Sequence, residues 1–137
     1  MADRTIGWLA RNHLDRYRPL LMAMQIGAFL VGCIFYVLMS NPGTFREDVW
    51  GGMAYSVPAK FWALLNMSAS SMTVVGLAKP VRCRLVMIGA GINCCQYAAL
   101  AWSVVFSGGD PVIGLYAGII FLPLNLWLLT EAATYDK

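Results

Sequence analysis

Apolar and polar positions along this chain fall into blocks rather than into an alternation. Four stretches, 19–39, 61–78, 85–106 and 112–130, carry no Asp, Glu, Lys, Arg or His. As helices, at 1.5 Å rise per residue, they reach roughly 27–33 Å against a hydrocarbon core of roughly 30 Å. None shows the one-sided polar stripe of a helix on the surface of a soluble bundle. The lack of alternation argues against spanning strands, because backbone groups in lipid favour the self-satisfied helix. The pattern predicts an all-α polytopic membrane protein with four transmembrane helices.

The residues between the blocks agree. Asn41-Pro42-Gly43 ends the first span and Lys79-Pro80 the second. Ser107-Gly108-Gly109-Asp110-Pro111 separates the third from the fourth, with Asp110 as an N-cap and Pro111 in the first helical position. Links this short make spans two and three, and three and four, antiparallel neighbours. In the longer outer loop, 40–60, Thr44-Phe45-Arg46-Glu47 fits a capping box stopped by Gly51-Gly52.

Ahead of the first span, Ile6, Leu9, Ala10, His13, Leu14 and Tyr17 share one helical face, and Arg4, Arg11, Asp15 and Arg18 lie opposite. This predicts an amphipathic helix on the inner leaflet, kinked before Pro19. The division is then a cytoplasmic juxtamembrane segment 1–18, a transmembrane domain 19–130 and a short tail 131–137. No internal repeat relates the two halves.

Composition places the chain in lipid rather than water. It is 59% hydrophobic and 12% charged, against roughly 25% charged for an ordinary soluble domain. The charge that remains is lopsided. Arg4, Arg11, Arg16, Arg18, Lys79, Arg82, Arg84 and Lys137 fall on one side of the threading, and only Arg46 and Lys60 on the other. The basic side is cytoplasmic by the positive-inside rule, which puts both termini and the 79–84 turn inside. Trp50, Tyr55, Trp62, Trp102 and Tyr116 outside, with Tyr17, Trp127 and Tyr135 inside, form the expected interfacial belts. The bacterial cytoplasmic (inner) membrane is the expected location.

Chemistry has few carriers here. No charged residue falls inside a span, the usual flag for transport or proton relay. Five amides do: Gln25, Asn66, Asn93, Gln96 and Asn125. Gln25, Asn93 and Asn125 lie about 8–12 Å from the cytoplasmic end on three different helices. They suit either inter-helix hydrogen bonding or a narrow hydrated path. Cys33, Cys83, Cys94 and Cys95 form no C-x-x-C pair, and mid-bilayer thiols act as small apolar residues. His13 has no company for a metal site. With no nucleophile–base pair either, no enzyme, no cofactor and no nucleic-acid partner are expected. Small residues are the positive signal: Gly114 and Gly118 in the fourth span, and Gly91, Cys95 and Ala99 in the third, have the four-residue spacing that lets helix backbones approach in lipid.

The leader ending in Arg16-Tyr17-Arg18-Pro19, followed by a turn and then Met53-Ala54-Tyr55-Ser56-Val57-Pro58-Ala59-Lys60-Phe61-Trp62, resembles small four-span membrane proteins of tailed bacteriophages. That resemblance implies a holin-like or virion-membrane role. The acidic tail 131–137 differs from the basic C-terminus common in holins. The first expectation is therefore a non-enzymatic accessory or assembly subunit that acts through helix–helix contacts with other membrane subunits or with itself. A holin-like self-assembling pore former is the second, and a small channel or transporter built on the amides the third.

Overall fold

The computed structural model describes residues 2–38, 59–78, 80–107 and 116–135. It is helical throughout, with no strand among the described residues. Helix α1 runs Ala2–Leu38, α2 Ala59–Leu77 and α3 Cys83–Ser107. A π-helical stretch, Tyr116–Phe121, leads directly into α4, Leu122–Tyr135. The outer loop with its capping box, Lys79, the Asp110-Pro111 cap and Gly114 lie outside the described residues.

Three segments are long and apolar enough to cross a membrane: Leu14–Val37, Cys83–Phe106 and Tyr116–Tyr135. The protein is an integral membrane protein on that ground. Helix α2 is of similar length but carries Asn66, Ser68, Ser70, Ser71 and Thr73, which lower its mean hydropathy.

One boundary differs from expectation. The surface helix and the first span are a single helix, with Pro19 inside it. Proline removes one backbone hydrogen bond, here the one to the Asp15 carbonyl. The packed face nevertheless keeps its period across that point: Leu14, Leu21, Gln25, Ala28 and Gly32 are all buried. Asp15 and Arg18, one turn apart on that segment, pair at 3.1 Å.

The turn between α2 and α3 is built by its backbone. Ala78 N–H donates to Val74 O at 3.1 Å and Arg82 N–H to Gly76 O at 2.8 Å, so the last carbonyls of α2 are met. The Arg82 carbonyl then accepts from Leu85 and Val86 and starts α3. Pro80 cannot continue a helix, which fixes the reversal between them.

The four helices close a ring. Helix α1 packs on α2, α2 on α3, α3 on α4, and α4 back on α1. Helix α3 buries residues on two sides, Cys83, Val86, Ala90, Asn93, Cys94 and Tyr97 among them, which is why it has no single apolar face to read. An apolar core of Leu14, Leu21, Leu77, Cys83, Val86, Ala90, Leu128 and Ala132 fills the end of the bundle that holds the α2–α3 turn. The π-helical stretch was not expected. Pro123 follows it closely, and a proline ring clashes with the carbonyl four residues back in an α-helix. A widened turn just ahead of the ring relieves that clash.

Candidate functional site: a buried amide layer

Directly above the apolar core, three helices each contribute one amide. Gln25 of α1, Asn93 of α3 and Asn125 of α4 are essentially inaccessible, at 2%, 0% and 1% exposure. Gln25 Nε2 donates to Asn125 Oδ1 at 3.1 Å. Asn93 Nδ2 is shared between Gln25 Oε1 at 3.3 Å and Asn125 Oδ1 at 3.4 Å. Asn125 Nδ2 donates to the Phe121 carbonyl at 2.8 Å and so ties the layer to the π-helical stretch. Asn93 Oδ1 is buried without a partner.

A second layer lies about one turn higher and brings in α2. Asn66 Nδ2 donates to the Ala28 carbonyl of α1 at 2.8 Å, and Tyr97 Oη donates to Asn66 Oδ1 at 3.0 Å. The Tyr97 ring stacks on Phe121 with centroids 5.1 Å apart. Gln96 Nε2 donates to the Trp62 carbonyl at 3.0 Å. Every helix is therefore tied to another by an amide, and all five candidate amides are buried.

Chemically these layers are neutral. They hold helices in register, and the one titratable group among their described residues is the Tyr97 phenol of the second layer. Among the described residues no three His, Cys, Asp or Glu side chains gather as a metal set would require. The sequence reading missed Tyr97, whose position four residues after Asn93 on the same helix was an available signal.

The small residues are placed differently from the spacing argument. A Cβ on Gly118 would touch Ala101 Cβ at 3.4 Å, so the Gly118 face of the fourth span is occupied by Ala101 of α3. The ridge Gly91, Cys95 and Ala99 does not enter it. Residues 99 and 101 are about 200° apart around a helix, which is nearly opposite. A Cβ at Gly91 meets nothing within 4 Å, and Cys95 is exposed. Of the basic residues, Arg16, Arg82 and Arg84 are exposed, and Arg18 is half-buried against Asp15. Arg4 and Arg11 fall on α1 ahead of the described side chains.

Comparison with known proteins finds no matching family model, no similar curated protein and no similar solved structure. The functional reading rests on this geometry.

Proposed function

We propose that the chain is a non-enzymatic protein of the bacterial cytoplasmic membrane, with four spans and both termini inside. It acts through helix–helix contacts as an accessory or assembly subunit of a larger complex. The observation that carries this reading is the outer face of α1. There Ala23 is exposed, a Cβ on Gly27 would meet nothing within 4 Å, and Val31 is exposed one turn further on. Leu20, Leu30 and Ile34 flank this notch and are exposed. Lipid tails fill such a notch poorly, and a partner backbone fills it well. The amide layers, bonded from helix to helix, support packing over a solute path.

That α2 crosses the membrane as well is supported by how it is turned. Its polar Asn66, Ser70 and Thr73 are buried, while Phe61, Leu64, Met72 and Val75 face outward. That is the arrangement of a spanning helix whose amide and threonine point into the bundle, with Ser68 alone of its uncharged polar residues exposed on the outer face.

Two measurements test the reading. With the native cysteines replaced, Asp48→Cys and Gly109→Cys should react with a membrane-impermeant maleimide in intact cells, and Tyr135→Cys should not. Labelling at 135 sinks the topology. For the partner, affinity purification of the tagged chain in mild detergent should bring down a stoichiometric membrane protein. Gly27→Leu should lose that protein while the bundle stays folded, since its side chain enters open space. Collapse of membrane potential on expression of the wild type would favour the pore former instead.

A further inference from the structure

The end of the bundle that holds the α2–α3 turn carries exposed charge of one sign. Arg82 lies in that turn, Arg84 in the opening turn of the span Cys83–Phe106, and Arg16 in the opening turn of Leu14–Val37. All three are exposed. Leu14 and Cys83 belong to the same apolar core, so the two opening turns stand at one membrane surface. We propose that this end binds anionic phospholipid headgroups in preference to zwitterionic ones, chiefly through Arg82 and Arg84. This rests on α1 and α3 crossing the membrane, whichever end faces the cytoplasm.

Three observations select that occupant. The first is sign. The acidic side chains described at this end are already engaged: Asp15 pairs with Arg18 at 3.1 Å, and Glu131 Oε1 accepts from Trp127 Nε1 at 3.1 Å. Among the described residues no carboxylate pairs with Arg16, Arg82 or Arg84. The Arg16 guanidinium stands over the Tyr17 ring at 5.8 Å, which leaves Arg82 and Arg84 the larger share. The second is depth. Ile88, one turn on from Arg84, and Leu20, one turn on from Arg16, are exposed apolar side chains on the same helix faces. Both arginines therefore stand where the lipid-facing surface ends, at the level of the phosphates. The long stem covers the apolar edge while the guanidinium stays among the headgroups. The third is chemistry. A guanidinium meets phosphate oxygens through parallel N–H donors. The choline of a zwitterionic lipid offsets the phosphate charge, and an anionic headgroup leaves it standing. A second copy presents the same positive end and would be repelled.

The experiment titrates the full chain in detergent with phosphatidylglycerol or phosphatidylcholine and follows the first bound lipid by native mass spectrometry. Phosphatidylglycerol should bind about fivefold more tightly, the effect of one basic residue at a headgroup layer. The double variant Arg82→Gln, Arg84→Gln should bring the ratio close to one with helicity unchanged, since both side chains are exposed. Arg84→Gln alone should lower the ratio and serves if the double variant does not fold. Arg82→Lys with Arg84→Lys should keep the preference. Lys60→Gln, at the opposite end of α2 and over the Tyr36 ring, should leave it unchanged. A folded double glutamine variant that keeps the preference overturns the proposal, and so does loss of the preference on Lys60→Gln alone. Absence of a lipid preference, with a membrane protein that co-purifies only while Arg82 and Arg84 are present, would give this surface to an acidic protein partner instead. A wild type without preference while Asp48→Cys labels from outside overturns the lipid site and leaves the topology standing.

Discussion

Asn125→Leu is expected to be the most damaging single amide substitution in the chain, lowering bundle stability by about 2–4 kcal/mol. Asn125 Oδ1 accepts from both Gln25 and Asn93, and its own Nδ2 holds the Phe121 carbonyl. Leucine removes all three bonds at once, strands the buried Gln25 Nε2 donor and leaves Asn93 Nδ2 only its 3.3 Å bond to Gln25 Oε1. Inter-helix hydrogen bonds in membranes average only about 0.6 kcal/mol, because separated helices find other partners in lipid. Donors left unsatisfied inside a packed bundle cost more, about 1–3 kcal/mol each. Asn93→Leu should be much milder, about 0–1 kcal/mol. Its Nδ2 makes two long bonds, and its Oδ1 is already unpartnered, so leucine also removes a buried unsatisfied acceptor. Unfolding of the purified protein in mixed micelles, followed by circular dichroism, measures both. Asn93→Leu proving the worse of the two would show that the layer is arranged around the wrong residue.

The depth of those amides was legible in the sequence; their meeting was not. Depth follows from counting residues from the charged ends of each span, since the rise per residue is fixed. That Gln25, Asn93 and Asn125 converge depends on how far each helix is rotated and on the ring order of the four helices. Neither is written in the spacing. Span limits were legible for the same reason as depth: the third block, 85–106, nearly coincides with Cys83–Phe106. The fourth overshoots its charge-free block because Glu131 does not end it. Trp127 Nε1 donates to Glu131 Oε1 at 3.1 Å, so the carboxylate is accommodated on the helix and α4 continues to Tyr135. In the first span Pro19 suggested a boundary that the packing overrides, and in the fourth the effect of Pro123 appears as a widened turn rather than as a break.

The same limit on rotation separates two glycines of α3, and it leads to the second large effect. Gly89→Ala should cost about 1–3 kcal/mol or more, and Gly89→Leu should prevent assembly of the bundle. A Cβ at Gly89 would stand 2.5 Å from the Ala69 carbonyl oxygen and 2.9 Å from the Thr73 nitrogen, both backbone atoms of α2. Backbone cannot swing aside as a side chain can, so α2 and α3 would have to move apart along their length. That movement would also loosen the Tyr97–Asn66 hydrogen bond, 3.0 Å long and higher on the same pair of helices. Gly91→Ala, two residues on and about 200° around the helix, meets nothing within 4 Å. Replacing a helical glycine by alanine there should stabilise by up to about 1 kcal/mol. The four-residue spacing singled out Gly91 and passed over Gly89, because spacing gives a stripe but not the side of the helix that faces a neighbour. Folded yield and unfolding midpoint of the two alanine variants decide the matter. Equal behaviour of Gly89→Ala and Gly91→Ala would mean that α2 and α3 do not approach through Gly89, and that the amide layers are not held by that contact.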